Sequence, residues 1–182
     1  MPYASGPIFP APPMVSICTR GIGWADENTL PNAVTSSAFE TADMAVYSPV
    51  VMPCPFVVRR VWWANGATTS GAATISVGLY ADADYGPGAK LVSGSATQGT
   101  AVEIQFVDVT DCSCGPGVYW IAIHSTSATN TTLLSSIIQA SVHTSYRFQE
   151  STVSLPAAAT PAASDSAGYR AYLCGFATTS SP

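Results

Sequence analysis

From residue 57 to residue 123, short apolar runs alternate with clusters of Gly, Pro and Asp, and no helical period interrupts them. Ile75, Val77 and Leu79 fall on one side of a pleated strand, and Thr74, Ser76 and Gly78 fall on the other. Val102, Ile104 and Phe106 alternate with Glu103 and Gln105 in the same way. Val118-Tyr119-Trp120-Ile121-Ala122-Ile123 is apolar at successive positions, as expected of a central strand covered on both faces. Period-two runs broken by turn residues every ten or so positions specify an all-β, antiparallel β-sandwich of jelly-roll type.

Candidate strands cover residues 45–51, 56–63, 73–80, 101–109, 118–124, 132–139 and 169–177. Asn65-Gly66 has the composition of a tight turn with positive φ. Gly115-Pro116-Gly117 is expected to reverse the chain, with the C-x-C pair Cys112 and Cys114 in that turn. The Ala-, Pro- and Ser-rich stretch 154–167 reads as a long surface loop before the last strand. Residues 1–42 differ from the rest: prolines punctuate them, yet Phe9, Trp24 and other apolar residues are interleaved. Disordered segments are depleted in such residues, so 1–42 is expected to be an extended docking arm and 43–182 the sandwich domain.

Charged residues make up only 9% of the 182 positions, well below the roughly one-quarter usual in soluble domains. A surface with so little charge has weak protection against association, so a homo-oligomer is expected, with a trimer suited to a local threefold position. Six Lys and Arg within a net charge of −5 supply no basic track for nucleic acid, and no apolar run reaches the length of a membrane span. The start, Met1-Pro2-Tyr3-Ala4-Ser5, shows neither a basic region nor an apolar core of a secretory signal, which leads to the expectation of a cytosolic origin.

Five cysteines, an odd number, argue against a disulfide framework, and His124 and His143 are not spaced to complete a zinc site with them. Asp82 and Asp84 lie two apart, as in the start of a calcium loop, but the Gly and Glu of such a loop do not follow, and turn chemistry explains them as well. Arg59-Arg60 sits in a strand pattern and reads as one exposed and one paired arginine. No G-x-S-x-G elbow and no carboxylate pair in an apolar stretch is present, so no catalytic residue, metal or cofactor is assigned. Of Trp62 and Trp63, one must face the core and the other must face outward, as a member of a cross-strand pair, an interface anchor or part of a sugar-stacking platform with Tyr80, Tyr85, Tyr119 and Trp120. Phe9, Trp24, Trp62 and Trp63 are the candidate interface residues.

The runs Gly78-Leu79-Tyr80-Ala81-Asp82, Pro87-Gly88-Ala89-Lys90-Leu91 and Pro116-Gly117-Val118-Tyr119-Trp120-Ile121-Ala122 resemble a β-sandwich module of tailed-bacteriophage virion proteins. Pro53-Cys54-Pro55-Phe56, leading into Trp63, and Leu155-Pro156-Ala157 extend the likeness over roughly residues 43–177. The resemblance implies a non-enzymatic structural role on the virion, as a capsid-decorating, fibre or tail-appendage protein whose partners are other virion proteins. A decorating or cement subunit is the first expectation. A host-facing adhesin that binds surface carbohydrate is the alternative, and a soluble hydrolase the third.

Overall fold

The computed structural model describes residues 17–18, 35–52, 54–66, 73–137, 147–150, 152–161 and 170–178. Twelve strands run through them: β1 (Ile17–Cys18), β2 (Thr35–Ala38), β3 (Met44–Met52), β4 (Phe56–Ala64), β5 (Thr74–Ala83) and β6 (Gly86–Thr97). They continue as β7 (Ile104–Cys114), β8 (Gly117–Ser125), β9 (Thr132–Ile137), β10 (Arg147–Gln149), β11 (Arg170–Tyr172) and β12 (Cys174–Ala177). All pairings are antiparallel. One sheet has the order β1-β12-β4-β7, the second β10-β3-β8-β5-β6, and a short third sheet β11-β9-β2.

The core lies between the first two sheets. Met44, Val46, Val50 and Met52 alternate inward from β3, and Ile75, Val77 and Leu79 do so from β5. Ile121 and Ile123 join them from β8, facing Val58, Val61 and Trp63 of β4 and Phe176 of β12. The alternation in the sequence therefore translates directly into this layer. β8 is the middle strand of its sheet, flanked by β3 and β5, which explains why both its faces are apolar. Pro49 sits in β3 beyond the three residues that β10 covers, so its missing amide breaks no ladder bond on that side.

Other expectations are corrected. The longest strand, β6, occupies a Gly-, Pro- and Ser-rich stretch that reads as turn chemistry. The strand expected at 101–109 starts at Ile104 and runs on through Cys114, so the C-x-C pair lies in β7 and not in a turn. Asn65 does not open a positive-φ turn; it is buried and bridges Leu133. The segment expected at 169–177 divides into β11 and β12, which belong to different sheets. Ahead of residue 43, β2 pairs with β9, and Phe39 stacks on Tyr172 at 4.7 Å between ring centroids. Those residues belong to this chain's own sheets.

Candidate functional site

Two regions outside the main core gather chemically distinctive side chains. The first is the outer face of the β3-β8-β5 sheet. By alternation with the core residues, Ala45 and Tyr47 of β3, Trp120 and Ala122 of β8 and Tyr80 of β5 point away from the main core. They are nonetheless buried, because residues 152–161 cross this face as a strap and insert Leu155 among them. Gly78 makes the room: a Cβ there would stand 2.9 Å from a Leu155 methyl. Burying the leucine contributes on the order of 1.5–3 kcal/mol. Tyr47 and Tyr80 meet edge to face at 5.3 Å.

Three side chains that can gain or lose a proton donate hydrogen bonds to strap carbonyls. His124 Nε2 lies 2.7 Å from Thr152 O, Lys90 Nζ 2.8 Å from Leu155 O, and Tyr80 Oη 2.7 Å from Pro156 O. Backbone bonds from Lys90 N to Ala157 O and from Ala159 N to Gly88 O attach the strap to β6, the edge strand of the sheet. At its other end Thr152 N donates to Asp43 O at 2.8 Å. A carbonyl only accepts, so Nε2 of His124 carries the proton, and Nδ1, buried and without a partner among the described residues, does not. Burial lowers the His124 pKa below the ordinary 6.5, against the opposing pull of the Thr152 carbonyl and the Asp43 carboxylate. Burial pushes the Tyr47 hydroxyl up to about 12 and raises that of Tyr80 as well.

The second region is the outer face of β4 and β7. Ile104 and Phe106 share a face of β7, as their alternation implies, but it is the solvent face: they are 51% and 44% exposed, and Val102, in the bend ahead of the strand, is 62% exposed. Val107 and Val109, from the opposite side of β7, pack on the core instead. Arg60 pairs with Asp108 at 2.6 Å and lies 5.1 Å from the Phe106 ring centre, and Arg59 pairs with Asp111 at 3.1 Å. The expected exposed-and-paired arginines are thus both paired.

The sequence candidates scatter. Phe9, Trp24 and His143 lie outside the described residues. Trp63 is in the core, its indole donating to Asn65 Oδ1 at 3.0 Å. Trp62 points to the other face yet is only 6% exposed, so neither tryptophan is a solvent-facing anchor. Phe106, its cross-strand partner, is the exposed aromatic there. The sugar-stacking platform is not displayed: Tyr80 and Trp120 lie under the strap, Tyr119 packs on the main core, and Tyr85 stands at a hairpin tip, 89% exposed. Asp82 accepts the Trp120 indole proton at 2.8 Å, and Asp84 forms the hairpin turn. Among the described residues no group of three His, Cys, Asp or Glu is placed to hold a metal ion. The strap interactions left no signal in the sequence beyond Leu155-Pro156-Ala157, because they join residues 65 and 76 positions apart.

Comparison of this chain with family models, with curated proteins and with solved structures finds no match.

Proposed function

We propose that this protein is a non-catalytic assembly subunit, which associates with copies of itself and with neighbouring proteins of a larger particle. The exposed Ile104 and Phe106 on the outer face of β7, with exposed Val102 just ahead of that strand, carry this reading. Exposed large apolar side chains side by side on a strand suit a protein contact, and a chain with 9% charged residues has little charge to spare for keeping them in water. Asp108 and Asp111 stand farther along the same strand, at the sheet edge. Carboxylates there disfavour open-ended strand addition, so the contact is made through the face. A capsid-decorating or cement subunit is the form implied by the resemblance of residues 78–82, 87–91 and 116–122 to virion β-sandwich modules.

Light scattering at micromolar concentration is expected to report a multiple of the 18.8 kDa chain mass. The double substitution Ile104→Ser and Phe106→Ser removes apolar surface without touching the core, and is expected to shift the protein to monomer while its circular dichroism stays unchanged. Gold labelling in electron microscopy then locates the protein on intact particles. A wild-type monomer that also fails to label particles would refute the assembly reading.

A further inference from the structure

We propose that residues 152–161 form an acid-responsive strap, latched at its Thr152 end by neutral His124 and freed there when that imidazole is protonated. Neutral His124 satisfies the latch with one proton, on Nε2, facing Thr152 O. A second proton must go to Nδ1, which is buried and faces no acceptor among the described residues. The charged ring is therefore disfavoured while the strap is closed, both by burial and by an N–H with nothing to bond. Opening this end admits water to Nδ1 and removes the conflict.

The surroundings of His124 show where its charge would go. Across the ladder, β3 places Ala45 beside it and β5 places Ser76. The strap contributes Thr152, and the exposed Glu150 lies two residues ahead of that threonine. Asp43, just before β3, holds Oδ1 4.0 Å from Nε2. Protonated His124 can thus exchange the Thr152 carbonyl for the Asp43 carboxylate, a stronger acceptor for a cation. A tyrosine hydroxyl keeps its proton in acid, so the bond from Tyr80, with the backbone bonds to β6, holds the middle of the strap. The release is polar, beginning at Thr152 and leaving the Ala157–Ala159 pairing with β6 in place.

The sign follows from the neutral group being the one that the closed state prefers. Closed-state stability from His124 is complete above the ordinary histidine value of 6.5 and declines as pH falls below it. Hydrogen exchange of the full-length protein, compared at about pH 7.5 and about pH 5, tests this. Once corrected for intrinsic rates, the Thr152 amide is expected to lose at least about tenfold protection in acid, while the Ala159 amide and the core amides of Val77 and Ile123 keep theirs. His124→Gln retains a donor toward Thr152 O but cannot be charged, and is expected to abolish the acid effect. Asp43→Asn, compatible with the left-handed backbone at that position (φ 57°), is expected to move the opening to lower pH. Equal loss of Thr152 protection in wild type and His124→Gln, no loss in wild type, or loss at Ala159 before Thr152 would each overturn the latch. Should His124→Gln not fold, an imidazole titration of the wild type by NMR decides: a His124 midpoint at or above the ordinary value is incompatible with it.

Discussion

Asp84 and Tyr85 hold left-handed backbone angles, φ 50° and 63°, across the two-residue connection between β5 and β6. Positive φ at both central positions is the type I′ geometry that matches strand twist, and Asn-Gly is the pair that adopts it with least strain. A tyrosine in this region is strained by its Cβ. Replacing Asp84-Tyr85 by Asn-Gly is expected to stabilise the protein by about 1 kcal/mol, raising Tm by about 2–4 °C in a thermal melt. The sequence does contain Asn-Gly, at Asn65-Gly66, but Asn65 serves another purpose. Its Oδ1 accepts from Trp63 Nε1 and from Gln98 Nε2, each at 3.0 Å, and its Nδ2 donates to Gln105 Oε1 at 3.3 Å. The turn signal was legible but misleading, since these polar partners lie as far as 40 positions away. Cys114 shows a similar gap between spacing and setting: buried in β7 beside Cys112, with the sulfurs 4.0 Å apart, its thiol is pushed up to about 12 by burial. Peptide mapping after brief maleimide treatment at neutral pH is expected to find exposed Cys54 modified well before Cys114 or Cys174, both buried.

Among the elements, β6 was hidden by its composition and β7 by its ambiguity. Gly86-Pro87-Gly88 and Ser93-Gly94-Ser95 lack the branched apolar residues that mark a strand. The backbone is extended there because β5 offers a long ladder, and because the two sheets close tightly at Gly94. A Cβ on Gly94 would meet Val107 and Val61 methyls at 2.9 Å and Val109 at 3.0 Å. Those β-branched side chains have little rotamer freedom with which to give way. Gly94→Ala is accordingly expected to cost about 1–3 kcal/mol in a urea titration, although alanine is normally the better strand residue of the two. In β7, Ile104 and Phe106 on one side compete with Val107 and Val109 on the other. Alternation tells which residues share a face; it does not tell which face the opposing sheet will cover.

For the whole molecule, the division at residues 42 and 43 cuts through structure. Phe39 is buried against Tyr172, whose hydroxyl accepts from Glu40 N at 3.0 Å, and β2 pairs with β9 over four residues. A chain beginning at Thr35 retains all of this, whereas one beginning at Asp43 loses the strand and the phenylalanine. The second truncation is expected to be less stable than the first by about 3–5 kcal/mol, the usual cost of removing a buried Phe, when both are unfolded by denaturant. A test of the Pro-rich arm around Phe9 and Trp24 therefore belongs on the chain beginning at Thr35, which gives up the two-residue β1 but keeps β2 and Phe39.

Neighbouring residues alone specify the all-β class, the shared face of Ile75, Val77 and Leu79, and the central place of β8. Each of these depends on neighbours two positions apart or on a run apolar on both sides, and such local patterns survive without knowledge of the partner strand. Contacts across the fold decide that Trp62 is buried while Phe106 is exposed, that β6 is a strand, and that residues 152–161 close over Tyr47, Tyr80 and Trp120. Those outcomes are set by contacts between segments far apart in the chain. Burial belongs to the pair of surfaces that meet, and a single strand carries only one of them.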